Sequence, residues 1–176
     1  VEIDYHEEQE PLGTVGALAT IEDLEDSFLA MNGDVLTALD YRRFMDGHRE
    51  SGNALTIASH RRVVRTEYGV LHTDGRTGPT ESLVGYEEKP EIPFTVSMGI
   101  YAIEPRVLDY IEPNTPLDLP DLVLRLLDAD ERVGAYPFDG FWLDIGRHDD
   151  YEKAIRTVRA AAFELSRFVE DVYEDA

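Results

Sequence analysis

Two aspartates of this chain each come directly after a short apolar run. Asp34 closes the stretch 28–34, Phe-Leu-Ala-Met-Asn-Gly-Asp, and Asp144 follows Phe-Trp-Leu at 141–143. A short apolar run that ends in a turn former is typical of a buried strand in an α/β sheet. Ligands of open α/β sheets bind beyond the carboxyl ends of the strands, and Mg²⁺ there is held by carboxylates and substrate phosphates. We therefore predict that Asp34 and Asp144 bind Mg²⁺ together.

Each of these carboxylates also has a structural interpretation. Gly33-Asp34 is a common turn pair and needs no ligand to explain it. Asp144 lies in apolar surroundings, where a carboxylate is costly without a partner. That partner could equally be a helix N-terminus that Asp144 caps, or the neighbouring Arg147.

Glu88, Lys89 and Pro90 form a second candidate group. Lysine is nearly absent here, since only Lys89 and Lys153 stand among 16 basic residues. A lysine ammonium suits a phosphate, and a carboxylate accepts hydrogen bonds from sugar hydroxyls. The alternative is a surface ion pair of negligible energy.

Gly13 and Gly16 form a third candidate group, with Thr14 and Val15 between them. Glycine lets backbone N–H groups approach an anion or a flat ring without a Cβ in the way. The small residues that follow indicate that the turn opens a helix ending near Asp26. A plain turn with a helix cap explains the same residues without a ligand.

The elements that position these residues follow from periodicity. Asp40 is a candidate N-cap of a helix that ends at Gly52, and the apolar positions of 118–130 predict another. The segment 68–90 alternates as a hairpin does, and a regular apolar repeat predicts a C-terminal helix over about 148–175. Strands and helices alternate first and hairpins follow, which favours an α/β fold with a mixed sheet in a single domain over residues 1–176.

Composition limits the partners. The chain has 37 acidic and 16 basic residues, a net charge of −21 and no cysteine. Such a surface repels nucleic acid backbones, and no stretch is apolar for the length of a membrane span. We expect a cytoplasmic protein without nucleic acid or membrane partners. The charge favours an environment of high salt, which screens self-repulsion.

Several short motifs resemble, in order, those of the sugar-1-phosphate nucleotidyltransferases, the family of glucose-1-phosphate thymidylyltransferases and mannose-1-phosphate guanylyltransferases. Each is weak alone, but together they cover the chain from about Ile3 to the tail helix. The motifs are Pro11-Leu12-Gly13-Thr14-Val15-Gly16-Ala17-Leu18, Asn32-Gly33-Asp34, Tyr68-Gly69-Val70, Glu88-Lys89-Pro90, Met98-Gly99-Ile100-Tyr101 and Trp142-Leu143-Asp144-Ile145-Gly146.

The resemblance implies a Rossmann-like nucleotide-diphospho-sugar transferase fold and a reaction between an NTP and a sugar 1-phosphate. A phosphate oxygen of the sugar 1-phosphate attacks the α-phosphorus of the NTP, and pyrophosphate leaves. Ser97 stands where the family often has an asparagine that contacts the sugar. The remaining implied roles are the nucleobase pocket for Gly13 and Gly16, Mg²⁺ binding for Asp34 and Asp144, backbone contact with the sugar for Gly69, sugar hydroxyls for Glu88, and the sugar phosphate for Lys89.

One family motif has no counterpart. The family opens with a strand, a Gly-x-Gly-Thr-Arg loop that cradles the NTP phosphates, and a Lys-Pro pair. The chain therefore resembles the family with its first βαβ portion removed. Three explanations follow: a fragment, a loop supplied by another chain, or a subunit that binds nucleotide-sugars without catalysis. We also expect self-association through the tail helix.

Overall fold

The computed structural model describes residues 3–22, 24, 26–76, 78–146, 148 and 150–159. Strands and helices are mixed along the chain, and four consecutive strands stand in its middle. The elements are β1 (Phe28–Met31), β2 (Val35–Thr37), α1 (Tyr41–Ser51), β3 (Leu55–Arg65), β4 (Gly69–Thr73), β5 (Leu83–Glu88), β6 (Glu91–Ile103), α2 (Leu119–Asp128), β7 (Val133–Pro137), β8 (Trp142–Asp144) and α3 (150–159), with 3₁₀ turns at Gly16–Thr20 and Pro105–Tyr110.

The main sheet has the strand order β1-β6-β3-β7. β6 runs antiparallel to β1 and to β3, whereas β7 runs parallel to β3. The predicted mixed sheet is therefore confirmed. Its long central strands, β3 and β6, extend together past the other two and form an arm that ends near the turn between β5 and β6.

The two faces of the sheet carry separate apolar clusters. One packs against α2 and the second 3₁₀ turn, around Leu55, Leu122 and Leu126. The other packs against α1, around Phe44 and Trp142. Because each face is covered by an amphipathic helix, the central strands are buried along the stretch that both helices cover.

Helix α1 has the predicted limits. The Asp40 side chain accepts a hydrogen bond from the Arg43 N–H at 3.1 Å, and Gly52 closes the helix with φ +65°. By contrast, the helix predicted after Gly16 is only a 3₁₀ turn, Gly16–Thr20, because Ile21 is already extended at φ −85° and ψ 124°. The predicted C-terminal helix is present over 150–159, and its continuation to 175 lies outside the described residues.

Two small antiparallel ribbons complete the fold. β2 pairs with β8, and β4 pairs with β5 to form the predicted hairpin. Each ribbon carries one of the candidate groups, the aspartates on the first and Glu88 with Lys89 on the second. None of the helices in the described ranges has the length and apolar character needed to span a bilayer.

Candidate active site

The β2–β8 ribbon brings the two aspartates together. Asp34 precedes β2 and Asp144 ends β8, and the register sets Val35 opposite Asp144. The Ile145 N–H also donates to the Asp34 carbonyl at 2.9 Å. Residues 110 positions apart in the sequence therefore have adjacent backbones, which is what a shared ligand requires.

Gly146 marks the space that the two carboxylates face. A Cβ on Gly146 would lie 2.5 Å from Asp34 Oδ2 and 3.2 Å from Asp144 Oδ1. The Gly146 N–H donates to Asp144 Oδ1 at 3.2 Å. Both side chains thus converge on one small residue, and only a residue without a Cβ leaves them undisturbed.

The donor set fits a hard cation held partly by its substrate. Within the described ranges, no arginine or lysine forms an ion pair with Asp34 or Asp144. Arg147, the alternative partner of Asp144, lies outside those ranges. No cluster of three or more potential metal-ligating side chains occurs in that part of the chain either. Two carboxylates leave most of an octahedron to phosphate oxygens and water, which is the usual Mg²⁺ arrangement.

Neighbouring cavities run past this ribbon. One of about 240 Å³ shares Asn32 and Tyr101 with an apolar cavity of about 320 Å³, and that second cavity is bordered by Thr14 and Val15. The cavity of about 240 Å³ also shares Ser97, Trp142 and Asp144 with a third cavity of about 450 Å³, which follows the β3–β6 arm. A ligand with several connected parts would therefore have room on both sides of Asp144.

Gly13 and Gly16 lie at one end of this row and have a structural reason to be glycine. Gly13 has φ +75°, and a Cβ there would lie 2.7 Å from the Leu117 carbonyl oxygen. A Cβ on Gly16 would lie 2.7 Å from the Thr115 carbonyl oxygen. The turn is packed against the chain before α2, and the Thr14 hydroxyl accepts a hydrogen bond from Leu119 N–H at 2.8 Å.

Gly69, Glu88 and Lys89 form a separate group on the β4–β5 hairpin. Gly69 stands opposite Glu88, and the Tyr86 hydroxyl covers Gly69 and donates to Glu88 Oε2 at 2.6 Å. That hydrogen bond raises the pKa of Tyr86. Lys89 has φ +47°, a left-handed conformation that costs a residue with a Cβ some strain. Its N–H donates to the Tyr68 carbonyl at 3.2 Å.

The structure does not bring this hairpin group to the aspartates. Ser97, which borders the central cavities, accepts a hydrogen bond from Gly99 N–H at 3.2 Å. Glu91 begins the same strand, and at the rise of a strand it lies roughly 20 Å from Ser97. Lys89 precedes Glu91, so Lys89 lies beyond the far end of β6.

Residues that sequence reasoning missed surround Trp142. The Arg62 guanidinium lies 4.7 Å from the centre of the Trp142 ring and pairs with Asp150 Oδ2 at 2.5 Å. Asp150 is only 6% exposed, and burial alone would raise its pKa. Arg62 and the Asp144 backbone amide outweigh burial and lower that pKa. Arg62 and Asp150 are 88 residues apart, so no local pattern could have paired them.

Comparison with known proteins assigns the chain to a family. The family model described as nucleotidyl transferase matches residues 1–161. The chain belongs to this family. The fold class inferred from the sequence, a Rossmann-like α/β fold with a mixed sheet, is confirmed, and so is the resemblance to sugar-1-phosphate nucleotidyltransferases.

The curated relatives are longer than this chain. A probable mannose-1-phosphate guanylyltransferase 3 from Oryza sativa subsp. japonica is 34% identical over 164 residues, which is 89% of the chain and 44% of the relative. A UTP–glucose-1-phosphate uridylyltransferase from Synechocystis is 34% identical over 172 residues, 92% of the chain and 42% of the relative. The chain thus spans less than half the length of these relatives.

Solved structures show the same fold at lower identity. A putative glucose-1-phosphate thymidylyltransferase from Bacillus anthracis has a TM-score of 0.62 and 21% identity, over 89% of this chain and 65% of that one. HddC from Yersinia pseudotuberculosis has a TM-score of 0.57 and 24% identity, over 86% and 64%.

Proposed function

We propose that the protein to which this chain belongs transfers a nucleotidyl group from an NTP to a sugar 1-phosphate. The observation that carries the proposal is the convergence of Asp34 and Asp144 on Gly146, beside a row of cavities. An oxygen of the sugar phosphate forms a bond to the α-phosphorus. The bond from that phosphorus to the oxygen bridging to the β-phosphate breaks, and pyrophosphate leaves with the electron pair.

In this proposal Asp34 and Asp144 hold Mg²⁺. When bound there, Mg²⁺ would supply positive charge that offsets the charge of the reacting phosphates. The two aspartates are suited to this task because Asp34 is exposed and Asp144 only half-buried, so substrate oxygens and water can reach both. No covalent enzyme intermediate is required, and the side chains act by positioning and by charge.

The substrate subsites follow the row of cavities. We place the nucleobase end at the turn with Gly13 and Gly16, because its residues Thr14 and Val15 line the apolar cavity. Flat rings favour such apolar linings with few polar groups.

The sugar end of the site is assigned to Ser97 and to the hairpin group of Gly69, Glu88 and Lys89. A phosphate next to the aspartates is beyond the reach of Lys89 in the described arrangement, since the arm separates them. The proposal therefore requires the β4–β5 hairpin to approach the carboxylates when substrate binds.

The decisive experiment is pyrophosphate release by the chain, in high salt with Mg²⁺, across four NTPs and a panel of sugar 1-phosphates. Release with one pair of substrates supports the proposal and names the base and the sugar. Nucleotide-sugar binding by calorimetry without any release would instead favour an inactive fragment of the enzyme or the second candidate, a binding or regulatory subunit. Adding an N-terminal glycine-rich segment would separate these two, because only the fragment should gain activity. The Asp34→Asn variant is the control, because it should abolish release and leave the fold intact.

The setting of the protein is also proposed. We infer a cytoplasmic protein. Adaptation to high salt and the absence of nucleic acid partners are inferred from the net charge of −21. Self-association through the C-terminal helix is supported by its apolar residues Tyr151 and Val158, which are 50% and 55% exposed. Unfolding that is independent of salt concentration would contradict the adaptation to high salt. A monomer in analytical sedimentation would contradict self-association.

A further inference from the structure

The ribbon that carries both aspartates is too short to hold its own shape. β2 and β8 have 3 residues each and, among the described strands, pair only with each other. An isolated two-stranded ribbon is at best marginally stable in water. The orientation of Asp144 must therefore be fixed by contacts that the ribbon makes with the rest of the molecule.

Trp142 joins β8 to the core. Its indole N–H donates to the Met98 carbonyl of β6 at 3.0 Å, in a buried position. His60 and Arg62, both on β3, lie against its ring, with the His60 ring centre at 5.3 Å and the Arg62 guanidinium at 4.7 Å. These contacts fix the ring two residues before Asp144.

Asp150, which follows Asp144 in the sequence, makes the second contact by pairing with Arg62. Its carboxylate is buried and pairs with Arg62 Nη2 at 2.5 Å. One guanidinium therefore lies against Trp142 and pairs with Asp150, so that a single side chain of β3 links the residues before and after Asp144. Arginine suits this place because its flat cation can lie over an aromatic ring while its edge meets a carboxylate.

We propose that Arg62, acting through Trp142 and Asp150, is a positioning residue that sets the Asp144 carboxylate for the divalent cation. The inference rests on the proposed function, in which Asp34 and Asp144 bind that cation. Arg62 also lines the cavity of about 450 Å³, so the role is tested with the cation alone, without substrate phosphates. Removing a group that orients a metal ligand without contacting the metal typically lowers metal affinity 10-fold or more.

The test is the affinity of the full chain for Mn²⁺ alone, measured by electron paramagnetic resonance of free Mn²⁺ well below the unfolding temperature. Arg62→Met should weaken Mn²⁺ binding about 10-fold. Arg62→Lys should recover part of that loss, because lysine keeps a pair with Asp150 through one nitrogen but loses the flat contact with Trp142. Should Arg62→Met not fold, Asp150→Asn tests the same link from the other partner, with the same expected loss.

Two control variants separate positioning from charge and from stability. Arg65→Met removes another arginine of β3. Arg65 pairs with the exposed Glu91, so its loss should leave Mn²⁺ affinity unchanged. Leu126→Ala empties a buried position on the other face of the sheet and should lower the unfolding temperature without changing the affinity of the folded protein. A loss of affinity in either control equal to that of Arg62→Met would overturn the inference.

Asp34→Asn distinguishes the failure of this inference from the failure of the proposed function. If Asp34→Asn weakens Mn²⁺ binding and Arg62→Met does not, the positioning role of Arg62 is wrong and the cation site stands. If Asp34→Asn leaves Mn²⁺ affinity unchanged, the cation site is wrong and the role of Arg62 falls with it.

Discussion

The two ribbons of this molecule have the same secondary structure and very different surroundings. The β2–β8 ribbon is attached to the core through Trp142, which is 9% exposed, whereas Tyr86 of the β4–β5 hairpin is 58% exposed. Both ribbons carry candidate substrate or metal groups at a strand end. The difference shows that a strand end delivers a side chain, but tertiary packing decides how firmly it is held.

The largest expected difference between the ribbons is in stability. Trp142→Ala should lower the free energy of unfolding by about 3–5 kcal/mol, because it empties a core position and removes the bond to Met98. Tyr86→Ala should change it by less than about 0.5 kcal/mol, as expected for an exposed side chain. Urea unfolding monitored by circular dichroism measures both, and equal losses would contradict the comparison.

The next effect concerns ligand binding at the hairpin. Lys89→Ala should weaken binding of a sugar 1-phosphate about 30-fold, since it removes a charge-assisted contact with phosphate. Binding of the NTP should change less. Lys153→Ala, which removes the other lysine of the chain from α3, is the matched control and should have no effect on either ligand. A greater loss for the NTP would mean that the two subsites are interchanged.

A smaller effect is expected from the packing between the aspartates. In Gly146→Ala the new methyl group would displace the Asp34 carboxylate, a movable group, so Mn²⁺ affinity should fall about 10-fold with little change in stability. Gly33→Ala is the control in the same ribbon, because a Cβ there meets no atom within 4 Å. Titration calorimetry measures the Mn²⁺ affinity of both variants. Equal affinities would show that the two carboxylates do not share a ligand.

The smallest effect is in the pH dependence of stability. Burial lowers the pKa of His48, although the Glu104 carboxylate 3.1 Å from Nε2 opposes this, and Arg49 and Arg106 add to the lowering. The folded chain therefore binds this proton less readily than the unfolded chain. Stability should fall as the pH drops below about 6.5, the ordinary histidine pKa, towards the lower folded value.

His48→Gln should flatten this part of the stability curve. His72→Gln is the control on the hairpin, where the histidine is exposed beside Glu87 and contributes little to stability. Urea unfolding between pH 5 and pH 8 (a range of about three units around the histidine pKa) measures both. An unchanged slope in His48→Gln would show that His48 is not the group responsible.

The sequence predicted elements wherever a local signal was complete. Asp40 and Gly52 carry the start and stop of α1 in their own side-chain and backbone chemistry, and the structure has both. The signal after Gly16 was incomplete. Small residues there indicated a helix, but Ile21 is already extended, so only a 3₁₀ turn forms.

The candidate site was predictable residue by residue but not as an arrangement. Asp34 and Asp144 could be named because each follows an apolar strand. Their pairing through Val35 and Ile145 depends on strand register, which no local pattern reports. The separation of Lys89 from them depends on the length of the β3–β6 arm, which only the assembled sheet shows.

By itself, the sequence determined the types and order of the elements, the acidic surface and the family motifs, because these depend on residues close together in the chain. Only the tertiary structure decided which of those residues meet. Arg62 and Asp150 are the clearest case, since 88 residues separate them and neither has a local signal. Their contact exists because the packing of β3, β8 and α3 brings the buried Asp150 carboxylate to the Arg62 guanidinium, which neutralises it.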